Sequence, residues 1–167
     1  GFLPELDEIP SGVLQRANLL FLDYPNNPTG AVVEPGYFER AVELARASGL
    51  VVVHDNAYSE LCYDGYRAPS FLETPGAKDV GVEIFSLSKG WNMTGWRAGL
   101  VSGNAEVVDR YRHLKTNLDS GMFEAIQRAT VAALTDARDF PREMSAVYQR
   151  RRNLLASLPE DELSPAV

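Results

Sequence analysis

Residues 83–97 read EIFSLSKGWNMTGWR. A short apolar strand runs into Ser86, then Ser88 and Lys89, and Arg97 follows across a loop punctuated by Gly90 and Gly95. Three uses of that pattern are open: ordinary loop chemistry, a phosphate cradle, or a lysine that forms a bond. Open α/β sheets collect ligands at the carboxyl ends of their strands. The choice therefore depends on what the neighbouring segments deliver to the same edge.

Upstream, residues 17–23 (ANLLFLD) read as a buried strand that ends at YPNNPTG, a strong turn signal. Pro35 stands where a helix is expected to open, at its first turn. The helix runs through YFERAVELARAS with Phe38, Val42 and Ala45 on one face, and Gly49 stops it. Residues 50–54 (LVVVH) form a second strand, apolar almost throughout, as in a parallel sheet covered on both sides. Residues 82–86 (VEIFS) and 98–102 (AGLVS) give the third and fourth. No helical pattern joins those two, so an antiparallel fourth strand is expected. Helices follow at about 105–116, 122–136 and 140–158. The last is polar over much of its surface and reads as a connector. Alternating strands and helices predict an α/β fold with a mostly parallel sheet.

Bulk properties narrow the class. A chain of 167 residues, 45% hydrophobic, can bury one sizeable core. Its net charge of −7 argues against a general nucleic-acid binder, which needs a basic surface. The run Arg150, Arg151, Arg152 is expected to be a solvated helix face. Cys62 is the single cysteine, so nothing requires an oxidising compartment. No apolar run approaches membrane-spanning length and no leader pattern opens the chain. A soluble, cytoplasmic protein is the expectation, with neither nucleic acid nor membrane as partner. The start at Gly1 and the tail LPEDELSPAV (158–167) read as the ends of a fragment.

The strand ends supply a set of side chains. The first strand delivers Asn26 and Asn27, the second Asp55 and Tyr58, the third Ser86, Ser88 and Lys89 with Arg97 beyond. Singly, each has an ordinary explanation: a turn asparagine, a helix-capping aspartate, a packed phenol, hydroxyls serving loop backbone, a surface arginine. Together they describe one ligand. A lysine at a strand end suits imine formation. Two hydroxyls and a guanidinium fork suit a phosphate. A carboxylate next door would hold a ring nitrogen protonated, and an amide and a phenol would bond a ring oxygen. Pyridoxal 5'-phosphate (PLP) has all of these parts.

Three motifs, NNPTG (26–30), HDNAY (54–58) and SLSKGWNMTGWRAG (86–99), occur in an order and spacing that resemble the class I/II aminotransferases of PLP fold type I. Within that family, KTNLDSGMFEAIQ (115–127) and CYDGY (62–66) look most like the LL-diaminopimelate aminotransferases. The resemblance implies a three-layer α/β/α fold, with residues 1–139 as part of the large PLP-binding domain. Residues 140–167 would be a connector helix and the start of a small domain. It implies that Lys89 bonds PLP and carries the proton between substrate and cofactor, and that Asp55 pairs with the pyridine nitrogen. Asn27 and Tyr58 would contact the ring oxygen; Ser86, Ser88 and Arg97 would hold the phosphate. Asn117–Ser120 would lie near the active site of a partner subunit, since relatives are homodimers. The implied partners are an amino acid and a 2-oxo acid such as 2-oxoglutarate.

Similarity runs from about residue 2 to about 158. It leaves out the family's upstream phosphate loop and ring-stacking aromatic and its downstream carboxylate-binding arginine, so the fragment alone is expected to be inactive. Gly90 stands where relatives often have threonine, which is expected to loosen the loop after the lysine. Two other readings stay open: a PLP-dependent C–S lyase of the same fold, and a PLP-sensing aminotransferase-like domain of a transcription regulator.

Overall fold

The computed structural model describes residues 2–119 and 121–159. At its centre β1 (Leu19–Asp23), β2 (Val51–Asp55), β3 (Gly81–Ser86) and β4 (Gly99–Gly103) lie side by side in that order. The first three are parallel; β4 is antiparallel to β3. Around them run α1 (Ser11–Leu14), α2 (Tyr37–Ser48), α3 (Ala77–Val80) and α4 (Leu87–Gly90). Then come α5 (Ala105–Leu118), α6 (Glu124–Thr135) and α7 (Phe140–Ala156).

α2 forms because Phe38, Ala41, Val42 and Ala45 recur at helical spacing, and all four are buried. They pack over Leu22 and Val52 in the main core. Each large apolar side chain buried there contributes about 1.5–3 kcal/mol. Gly49, at φ 68°, ends the helix in the left-handed region that glycine enters without a Cβ penalty. The start differs from expectation. Gly36 is the N-cap at φ 83°, so Pro35 belongs to the preceding turn and not to the helix.

Strand alternation puts Leu19 and Phe21 on the face opposite α2, where both are about 60% exposed (59% and 60%). Val101 of β4 shares that face, and α5 runs beside it, with Val108 and Tyr111 lining an open cleft against Val101. Helices thus occupy both sides of the sheet. Among the described residues no helix is long and apolar enough to cross a membrane.

Residues 87–97 are more ordered than a patternless loop. Ser86 accepts a hydrogen bond from the Ser88 N–H (3.2 Å) and starts the single turn α4. A 3-10 turn follows at Thr94–Trp96. Four residues are too few to show a helical period, which is why the sequence pattern missed them. Leu87, Ala98 and Ala133 then form a second core, and Trp91 Nε1 donates to the Ala133 carbonyl at 2.9 Å, tying α6 to this segment.

α7 docks against residues 60–64. Ser145 Oγ donates to the Glu60 carbonyl (2.7 Å), Tyr148 to Asn92 (2.8 Å), and Arg152 to both Asp64 oxygens (2.6 and 2.8 Å). Arg150 and Arg151 are exposed as expected, but Arg152 is half-buried and clasps this loop. Gly90 also departs from expectation. It is buried, and a Cβ there would come within 2.8 Å of Glu60 Cβ, so the missing side chain permits close packing instead of loosening the loop.

Candidate active site

The carboxyl edge of the sheet is built by three turns. After β1, Asn26 organises its own turn: Nδ2 donates to Asp23 Oδ2 (3.0 Å) and Oδ1 accepts from the Thr29 hydroxyl (2.6 Å). That leaves the Asn27 side chain free of turn duties. Its Nδ2 donates to the Tyr58 hydroxyl at 3.1 Å, across from the turn that follows β2. The Lys89 Nζ, from α4, stands 5.4 Å from the centroid of the same Tyr58 ring. Asn27, Tyr58 and Lys89 are therefore one group drawn from three strand ends.

A second group forms around Ser86. Its hydroxyl caps α4 by accepting from Ser88, and the Ser88 carbonyl accepts from the Thr94 hydroxyl (2.9 Å). The Thr94 carbonyl in turn accepts from Arg97 Nη1 (3.2 Å). Arg97 is exposed and sits at φ 54°, a conformation unusual for a residue with a Cβ. Such strain is often stored where a side chain must be aimed.

Asp55 bonds to neither group. Strand register fixes its place: it stands between Asp23 and Ile84, on the sheet face shared with Ser86. Asp23, which the sequence pattern did not single out, is its direct neighbour. Burial, then the Asp55 charge, push the Asp23 carboxyl above its ordinary value. Burial pushes the Cys62 thiol up, and its Sγ donates to the Ser59 carbonyl (3.1 Å).

Beside Asn27 and Tyr58 opens a cleft of about 680 Å³, walled by Pro25, Pro28, Val32, Leu61 and Tyr63. Its size is within the range of small-molecule sites. Ser120 and residues 160–167, parts of the expected subunit-facing run and connector, lie outside the described residues.

The donor set can be tested against PLP. Among the described residues, the Asp55 carboxylate, the Lys89 amine and the Arg97 guanidinium have no ion-pair partner, although eight arginine or lysine ion pairs form elsewhere. Ser86 spends only an acceptor lone pair on its cap, so its hydroxyl hydrogen remains free to donate. A ligand with a basic ring nitrogen, an aldehyde carbon and a phosphate finds a complementary group for each part. The residues present fit PLP.

Comparison with known proteins agrees. A family model described as aminotransferase class I and II matches residues 1–164. The LL-diaminopimelate aminotransferase of Moorella thermoacetica is 54% identical over 155 residues, covering 93% of this chain and 40% of the relative. The chain thus spans about 40% of the length of the curated relatives it matches. Among solved structures, substrate-bound BacF from Bacillus subtilis superposes with a TM-score of 0.92 at 36% identity, covering 97% of this chain and 41% of that one. A probable N-succinyldiaminopimelate aminotransferase from Thermus thermophilus gives 0.84 at 44% identity, covering 89% and 40%.

Proposed function

The chain belongs to the class I and II aminotransferases, and from that premise we propose that the full-length protein is a PLP-dependent aminotransferase. Its amino donor is LL-diaminopimelate, the substrate named for the relative at 54% identity, and its acceptor is a 2-oxo acid such as 2-oxoglutarate. One observation carries the reading: an amine, a carboxylate and a guanidinium, each without an ion-pair partner among the described residues, stand along one sheet edge.

Lys89 would bond the cofactor aldehyde carbon. When bound, PLP supplies a sink for the electron pair left behind as a substrate α-proton is removed. Lys89, on the short turn α4 beside Tyr58, would take that proton from the substrate α-carbon and return it to the cofactor's former aldehyde carbon. Asp55 holds a proton on the ring nitrogen by charge. The Tyr58 hydroxyl, already accepting from Asn27, keeps its own hydrogen for the ring oxygen. Ser86, Ser88 and Arg97 anchor the phosphate, and the Arg97 fork carries the charge.

In this reading residues 1–139 form part of the large domain and residues from 140 onward connect to a smaller one. The active unit is a homodimer in the cytoplasm, serving lysine biosynthesis. The test is a PLP titration of the full-length protein followed by a panel of amino donors. LL-diaminopimelate should discharge the bound-cofactor absorbance, and added 2-oxoglutarate should yield glutamate. Release of ammonia and a 2-oxo acid from a sulfur-containing donor would point to a lyase instead.

A further inference from the structure

The sheet face behind the site carries a buried polar network that none of the roles above uses. His54, the residue before Asp55, is fully buried on β2. Its Nδ1 lies 3.0 Å from Glu83 Oε2, directly across on β3, and its Nε2 lies 2.9 Å from the Tyr24 carbonyl at the end of β1. The Glu83 carboxylate also accepts from the Ser70 hydroxyl (2.9 and 3.0 Å) and from the Phe71 N–H (2.8 Å). Phe38 and Phe71 meet the imidazole edge-on. The charged groups facing His54 are Glu83, with Asp23 and Asp55 beyond the sheet plane; the other packed elements present aromatic rings. Each ring nitrogen is thus held by its own oxygen partner, one on either neighbouring strand.

One side chain thus ties the ends of β1 and β2 to the middle of β3, the three strands whose carboxyl ends lead to Asn27, Asp55 and Lys89. Resting on the PLP reading, we propose that His54, locked by Glu83 and the Tyr24 carbonyl, is a positioning residue. It sets the pitch of Asp55 against the Asn26–Asn27 turn. A core of similar shape without these hydrogen bonds would still hold the strands but would not fix that pitch.

The experiment uses full-length His54→Gln and Glu83→Gln, with Phe71→Leu as a packing control that leaves every hydrogen bond of the network in place. PLP affinity, the pH midpoint of the bound-cofactor absorbance and the melting temperature are measured for each. Both polar variants should bind PLP roughly tenfold to a hundredfold more weakly, the scale on which misplaced site groups act. Their pH midpoint should shift, whereas Phe71→Leu should lower the melting temperature alone. If the polar variants lose only melting temperature, the network is structural and the proposal is wrong. Should His54→Gln fail to fold, Glu83→Gln decides by the same readouts. A wild-type protein that takes up no PLP overturns the cofactor reading itself, a result distinct from unaltered binding in the variants.

Discussion

Replacing Gly90 with alanine should destabilise the protein, against the usual preference of helices for alanine. Gly90 ends α4 with an ordinary helical φ, so the backbone alone would gain about 0.5–1 kcal/mol from the exchange. Packing opposes this. A Cβ at 90 would stand 2.8 Å from Glu60 Cβ and 3.1 Å from Glu60 Cγ, with Pro141 Cβ at 3.7 Å behind. Carbon atoms prefer separations of about 3.5–4.0 Å. The 2.8 Å contact is to the root of the Glu60 side chain, so rotating that side chain cannot relieve it. The backbone at Glu60 is itself held by Ser145 of α7. Overpacking of this kind costs about 1–3 kcal/mol, against the gain of about 0.5–1 kcal/mol, so the mid-range net loss is about 1 kcal/mol. Denaturant unfolding of full-length Gly90→Ala measures it. In a Glu60→Gly background most of the penalty should vanish, a coupling within the range for contacting residues, about 0.5–3 kcal/mol. A variant as stable as wild type, or a penalty unchanged by Glu60→Gly, would refute the packing argument.

Lys89→Ala in the full-length protein should abolish transamination yet retain weak, non-covalent PLP binding through Asp55 and the phosphate groups; equilibrium dialysis and a coupled glutamate assay check both halves. Tyr58→Phe removes the acceptor of Asn27 Nδ2, a bond of about 0.5–1.5 kcal/mol, so PLP affinity should fall by up to about tenfold, readable by absorbance titration. Glu83 predicts acid lability. Burial pushes its carboxyl up, but hydrogen bonds from His54, Asn56 and Ser70 outweigh this and hold it below its ordinary value of 4.5. A depressed carboxyl contributes stability that is present above that value and is lost as pH falls through the folded one. Melting temperatures should therefore drop more steeply below about pH 4.5 in wild type than in Glu83→Gln.

Much of the fold was legible because its signals are local. The apolar runs at 19–22 and 51–53 mark strands, although β1 buries only Leu22 and leaves Leu19 and Phe21 exposed, and Phe38, Val42 and Ala45 mark the face of α2. The antiparallel β4 followed from the lack of a long crossover. α4 was not legible, since its start depends on the Ser86 cap and not on periodicity. The candidate side chains at the strand ends could be collected from the sequence, because residue type and chain order suffice to gather them. What could not be read was mutual geometry. That Asn27 bonds Tyr58, that Asp55 stands beside Asp23, and that His54 pairs with Glu83 all depend on register between distant strands. One signal was available: a histidine and a glutamate inside apolar strands must find buried partners, and here they find each other.

The central claim is that Lys89 is the residue that bonds PLP. Full-length protein loaded with PLP should be reduced with borohydride, digested and mapped by mass spectrometry. The account predicts the cofactor-derived mass on the peptide carrying Lys89 and on no other lysine. A label fixed on a different lysine, or cofactor that washes away unlabelled after reduction, would contradict it.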